Sequence, residues 1–265
     1  MNAMIGNARI VSALVVVAAL CCAPMHTGPT AAQNTAGDDV IQEIIKEIDE
    51  LYRSKSSYAE FEMHVVTPHW ERTMAMNAWS AGMDRTFIRI TAPRKDNGVA
   101  TLRIGNEMWN YLPKTNKIIK IPPSMMMSSW MGSDFTNDDI VREFSLYEDY
   151  SYAETSVGDP DSNLIYIDCV PRADLAVVWR HVVIAVRRSD HLPVWQKYYD
   201  EKDELMRVMN FRDIKTFGKR TIPSVMEIVP QNKEGHRTQV RYLKLEFDID
   251  VDENIFSLRN LRTQT

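Results

Sequence analysis

Gly98-Val-Ala-Thr-Leu-Arg-Ile-Gly-Asn-Glu-Met-Trp-Asn-Tyr-Leu-Pro-Lys-Thr-Asn-Lys-Ile-Ile-Lys-Ile121 reads as three short strands joined by two tight turns. Gly98 to Ile104 is the first strand, Gly105-Asn106 turns the chain, and Glu107 to Leu112 is the second. Pro113-Lys114-Thr115-Asn116 turns it again into Lys117 to Ile121. Parallel neighbours need a crossover of about a dozen residues, so connections this short predict an antiparallel meander.

Upstream the same pattern continues. Ala59, Phe61, Met63 and Val65 alternate with Glu60, Glu62 and His64, which is the period of a strand. Arg72 to Trp79 and Thr86 to Thr91 add two more, with a turn at Ala81-Gly82-Met83-Asp84 between them. Before the strands, Asp38 or Asp39 is placed to cap a helix running to about Ser54. Val40, Ile41, Ile44, Ile45, Ile48 and Leu51 form its apolar stripe, so it should lie on the sheet.

Downstream the meander runs into Lys120-Ile-Pro-Pro-Ser-Met-Met-Met-Ser-Ser-Trp-Met-Gly-Ser-Asp-Phe-Thr-Asn-Asp-Asp-Ile-Val141. Two prolines and Gly132 bracket Met125, Met126, Met127, Trp130 and Met131, where Ser124 to Met131 is expected to form a short helix. Thr136 followed by Asp139 is a relative of the capping box and predicts a second short helix from Thr136 or Asn137. Methionine is flexible and polarisable, so this stretch suits either a mobile apolar flap or ordinary core filling.

Strands resume at about Tyr152–Val157, Leu164–Val170, Trp179–Val186, Pro193–Tyr199, Glu204–Asp213, Thr221–Val229 and Arg237–Asp248. Asp252 to Leu261 reads as a capping tail with Ile255, Phe256, Leu258 and Leu261 facing in. The fold class is therefore mainly β (α+β): about a dozen antiparallel strands that must curl or close, an N-terminal helix and short central helices.

The first 32 residues read as a leader. Ile10 to Leu20 is an apolar run too short to span a bilayer, and Thr30-Ala31-Ala32 offers small residues before a cut at Gln33. Residues 33–37 form a polar linker, and 38–265 form one domain. Leu20 before Cys21 is not the small residue a lipidation signal needs, so a free periplasmic product is expected in place of a lipid-anchored one. Cleavage would leave Cys169 alone, with no intrachain disulfide. A formal net charge of −5 gives no reason to expect nucleic acid, nor any special preference for anionic membranes.

Chemistry is sparse. There is no Gly-x-Ser-x-Gly elbow, no His-x-x-x-His pair and no Cys-x-x-Cys. Asp134, Asp138 and Asp139 resemble a calcium loop only superficially, because its sixth and twelfth positions are Asp139 and Ser145. Capping and surface roles explain them better. Arg85, Arg89 and Arg187-Arg188 read as solvated faces. Trp109 and Tyr111 share one strand face and suit a cavity with a wet rim, although core packing accounts for them too.

Three stretches resemble the outer-membrane lipoprotein-sorting proteins, relatives of the periplasmic Lol-type lipoprotein carriers. They are Glu107-Met-Trp-Asn-Tyr-Leu-Pro113, Ile118-Ile-Lys-Ile-Pro-Pro-Ser-Met-Met-Met127 and Trp130-Met-Gly-Ser-Asp-Phe-Thr-Asn-Asp-Asp139. The resemblance implies a strongly curved, half-open antiparallel β-barrel with helices plugging its mouth and an apolar cavity inside. It makes the Met-rich stretch part of a lid and implies lipoprotein acyl chains, or another lipid, as cargo. It also implies a hand-over at a membrane transporter of the resistance-nodulation-division type. The expected ligand-binding set is Trp109, Tyr111, Met126, Met127, Trp130, Met131 and Phe135. No cofactor, metal or nucleic acid is expected, and the chain is read as a monomer and not an enzyme. A lipid hydrolase using the same cavity and a lipid-sensing regulatory module are the alternatives. No local motif identifies an arginine facing the cavity.

Overall fold

The computed structural model describes residues 35–141, 145–158, 160–173 and 177–263. The leader expectation, and residues 33 and 34 of the linker, lie outside them. Helix α1 spans Thr35–Glu50. The strands are β1 Ser56–Val66, β2 Glu71–Ala81, β3 Arg85–Ala92, β4 Ala100–Ile104, β5 Glu107–Leu112, β6 Lys117–Lys120, β7 Tyr150–Glu154, β8 Leu164–Pro171, β9 His181–Arg187, β10 Pro193–Tyr199, β11 Leu205–Phe217, β12 Arg220–Pro230 and β13 Arg237–Phe247. Three short helices complete the chain: α2 Asn137–Val141, α3 Leu146–Asp149 and α4 Leu258–Arg262.

Among the described residues the strands form one 13-stranded sheet in the order β6-β5-β4-β3-β2-β1-β13-β12-β11-β10-β9-β8-β7. All its pairings are antiparallel, and β6 and β7 remain as unpaired edges, so the curved sheet is a half-open barrel. Short connections dictate this meander; the one long-range closure is β1 onto β13, which joins the two ends of the chain.

The inner face carries two apolar clusters. Ile41, Ile44, Ile45 and Ile48 of α1 pack on Ile165, Ile167, Val182 and Ile184 of β8 and β9. Phe61, Met63, Met74, Met76, Ile88 and Met108 of β1, β2, β3 and β5 pack beneath Trp130. The outer face carries a third cluster, in which Phe256 and Leu261 of the tail cover Phe87, Leu102 and Tyr111.

Several expectations need correction. Helix α1 begins at Thr35, within the stretch read as linker, and ends at Glu50, short of Ser54. Its early end has a partner: Arg220 Nη1 donates to the carbonyls of Glu50 (3.2 Å), Leu51 (3.5 Å) and Arg53, which a helix terminus leaves unsatisfied. Val40 is exposed, outside the buried stripe. Ser124 to Met131 is not a helix; a single 3₁₀ turn at Pro123–Met125 is followed by irregular chain, with Met131 and Gly132 both at positive φ. Strand β7 runs Tyr150–Glu154, shifted toward the N-terminus from the expected Tyr152–Val157, and pairs with Ile167–Pro171 of β8. Strand β11 runs past Asp213 to Phe217 with its register to β12 unbroken; Asp213 sits at φ 55°, its carbonyl accepts from Ser224 Oγ at 2.6 Å, and its carboxylate takes a 2.9 Å bond from Arg241 Nη1. Leu258 is exposed while Phe256 and Leu261 are buried. Arg89 is buried, and its guanidinium donates to the carbonyls of Asn260 (2.8 Å) and Thr263, pinning α4 to the outer face.

Candidate functional site: the inner chambers and their lid

The chain from Pro122 to Val141 crosses the inner face as a lid. Its fold is held locally. The Trp130 amide donates to the Phe135 carbonyl at 2.7 Å, and Ser129 bridges Thr136, so residues 129–136 form a tight loop. The Asp139 amide donates to Thr136 Oγ1 at 3.1 Å while the Thr136 amide donates to Asp139 Oδ2 at 2.8 Å. This is the reciprocal capping box expected from the sequence, and it starts α2. At its other end, the Arg72 guanidinium donates to the Met131 carbonyl.

Three contiguous chambers lie between the sheet and its coverings. The first, 280 Å³, is under the lid and is walled by Phe61, Tyr242, Met226, Trp130, Phe135 and Ile140, among others. The second, 370 Å³, lies beside the end of α1 and shares Tyr52, Ser80 and Met226 with the first. The third, 290 Å³, is under α2 and α3; it shares Leu146, Gln196 and Met209 with the second and Phe135 and Asp139 with the first. Tyr52 donates to the Pro223 carbonyl at 2.7 Å, and burial pushes its phenol far up, so its hydroxyl stays protonated within the apolar wall.

A buried charge pair crosses from sheet to lid. Arg207 of β11 donates end-on to Asp139, with Nη1 to Oδ2 at 2.9 Å and Nη2 to Oδ1 at 2.8 Å. Arg207 is buried and packs against the rings of Trp179 (4.7 Å) and Tyr198 (4.3 Å), which meet edge to face. Burial alone pushes the Asp139 carboxyl up. The charge and hydrogen bonds of Arg207, with those from Thr136, outweigh it and hold the group below the usual carboxylate range. Burial likewise works against the charged guanidinium, and Asp139 more than restores it. A half-buried carboxylate ties α1 to α3: Asp49 accepts from Ser145 Oγ (2.8 Å) and the Leu146 amide (2.9 Å). Among the described residues no group of three or more metal-ligating side chains converges.

The structure brings part of the expected set together. Trp130 and Phe135 wall the first chamber. Trp130 is 3% exposed, and its indole donates to Thr101 Oγ1 at 3.2 Å. Met126 and Met131 pack against the core beneath the lid. Met127 is 49% exposed and points away from the chambers' lining. Trp109 and Tyr111 are on the opposite face, in the cluster under the C-terminal tail; Met108 is the β5 residue that faces the inner core. The expected cavity placement of Trp109 and Tyr111 is therefore corrected. Sequence reasoning missed Phe61, Met226 and Tyr242 as chamber walls, and Arg207 as the inward arginine. Its signal was present: Arg207, Met209 and Phe211 share one face of β11, so a charge stands in an apolar row.

The open antiparallel half-barrel with a helix and a lid over an apolar interior is the fold of the outer membrane lipoprotein-sorting domains. A DUF1329 family protein from Desulfovibrio piger superposes with a TM-score of 0.72 at 23% identity, covering 85% of this chain and 99% of that one. A domain described as outer membrane lipoprotein-sorting, from Vibrio parahaemolyticus, gives 0.71 at 22%, covering 86% and 99%. A LolA superfamily protein from Nitrosomonas europaea gives 0.66 at 20%, covering 83% and 98%. A family model described as an uncharacterized protein matches residues 82–263, and the chain belongs to that family. No curated protein matches it in sequence.

Proposed function

We propose that this protein is a periplasmic carrier. It holds the acyl chains of a lipoprotein or another lipid in the inner chambers and hands them on at a membrane, with a transporter of the resistance-nodulation-division type as the partner. The observation that carries this reading is the set of adjoining, mainly apolar chambers under a lid that the Arg207–Asp139 pair helps fasten to the sheet. Each methylene moved from water into such a space contributes about 0.8 kcal/mol. A chain of about a dozen carbons therefore supplies roughly 10 kcal/mol before the costs of association. Release of such a chain needs the lid to open, which breaks Arg207–Asp139 together with the Arg72–Met131 and Thr238–Asp134 bonds.

In this reading no bond is made or cleaved, and the chain acts as a monomer. The fold neighbours named for lipoprotein sorting support it. Native mass spectrometry of protein purified from its own periplasm tests the reading. The expected result is a population carrying the mass of one lipid, lost on mild organic extraction and restored by added lipid. Protein that emerges free of lipid and takes up none from vesicles or fatty acid would overturn it. Release of free fatty acid from labelled phospholipid would favour the hydrolase instead.

A further inference from the structure

One end of the sheet carries a charge opposite to that of the whole chain. The β1–β2 and β12–β13 turns meet there, because Val66 pairs with both Glu71 and Arg237. A Cβ on Gly235 would lie 3.1 Å from Pro68 Cγ, so these two turns touch. Antiparallel alternation puts the β3–β4 and β5–β6 connections at the same end. Exposed on these four turns are Arg94, Lys95, Lys114, Lys117, Lys233 and Arg237, against exposed Glu71 and Glu234. Arg72 and Asp96 at this rim face each other at 3.7 Å. The chain's formal net charge is −5, yet this rim is cationic. Asp248, Asp250, Asp252 and Glu253 gather at the opposite end, where the Asp248 amide donates to the Ser56 carbonyl at 2.7 Å. The acidic β10–β11 turn, residues 200–204, shares the cationic end but lies beyond β12, so it confines the patch to the β6 side.

Apolar groups stand among these cations. Trp70 is 45% exposed and Leu112 36%. With Met131 and Gly132 of the lid they line a recess of 510 Å³ that reaches Met74 and Ile90 of the inner core. A cationic rim alone would suit a nucleic acid, an acidic protein or an anionic bilayer. The exposed indole and the recess favour the bilayer. Tryptophan settles at the boundary of water and hydrocarbon, lysine reaches the phosphates, and the acyl region of a bilayer offers something apolar to face the recess.

We propose that this rim docks the protein on an anionic phospholipid surface, with Trp70 in the interface and the recess below Met131 turned toward the acyl region. The docking goes beyond the carrier reading and does not rest on it, since a protein with an empty interior would dock equally.

The test is co-sedimentation of the purified protein with phosphatidylcholine vesicles, with and without phosphatidylglycerol. Binding is expected only to the anionic vesicles, weakening as salt rises. Lys114→Gln with Lys117→Gln should weaken it by about fivefold per lysine, and Trp70→Ala by severalfold, with melting temperatures unchanged. Lys215→Gln with Lys219→Gln, on the hairpin at the other end, should leave it unchanged. No binding to anionic vesicles would overturn the proposal. So would an equal loss in the Lys215/Lys219 variant, which would mean diffuse charge, or binding to a single-stranded oligonucleotide at least as tight as to vesicles.

Discussion

Arg207 is a buried cation that ties the lid to the sheet. Its guanidinium is buried against two rings and answered by one carboxylate on a different element. Asp139→Asn would leave that cation without its partner, and breaking one side of a buried pair costs about 3–5 kcal/mol. Replacing both, as Arg207→Met with Asp139→Asn, should recover much of the loss. Urea unfolding of the two single variants and the double variant measures this coupling directly. The pair also sets an acid response. Asp139 titrates below its ordinary value of 3.8, so its contribution is complete above that pH and is lost as pH falls through its lower folded value. Asp49 acts in the opposite sense, because burial holds its carboxyl above 3.8 and its ionisation costs stability as pH rises. Wild-type stability should therefore fall more steeply than that of Asp139→Asn below about pH 3.8, as followed by unfolding at fixed pH values. Cys169 should be inert in the folded state: burial, then the charge of Asp168, pushes its thiol up to about 12.

At the scale of elements, α1 and the lid behave differently although both cover the same face. The α1 stripe was legible because an amphipathic helix has one apolar side, and Ile44 and Ile45 are fully buried as that pattern requires. Ile44→Asp places an unpaired carboxylate against β8 and β9 and should prevent folding, seen as loss of the cooperative thermal transition. The lid was legible as an apolar insertion with a capping box, but its path was not. Prolines at 122 and 123 and the left-handed Met131-Gly132 pair replace the expected helix with loops, which side-chain periodicity cannot describe. Trp130 and Met127 separate the roles within it. Trp130→Ala should cost about 3–5 kcal/mol in stability and open the first chamber. Met127→Ala, at an exposed position, should change stability by less than about 0.5 kcal/mol. Thermal melts of the two variants test the assignment, and equal losses would place Met127 in the core. The faces of β5 could not be read from sequence, because both are buried: Met108 under the lid and Tyr111 under the C-terminal tail. Where both sides are apolar, alternation does not say which is inside.

At the scale of the whole described domain, the strands form one antiparallel sheet curled around an interior that its own side chains do not fill. Strand count, order and the short turns were legible because each turn is local. The closure of β1 on β13 joins residues far apart in sequence and leaves no local mark, and the chamber walls Phe61, Met226 and Tyr242 depend on it. The central claim is that acyl chains occupy this interior. Photo-crosslinking a diazirine-bearing fatty acid to the purified protein, followed by peptide mapping, tests it most directly. Saturable adducts on β1, β12, β13 and the Trp130–Ile140 stretch, competed away by unlabelled lipid, are the predicted result. Labelling that does not saturate, or that falls on the outer face around Trp109 and Phe256, would contradict it.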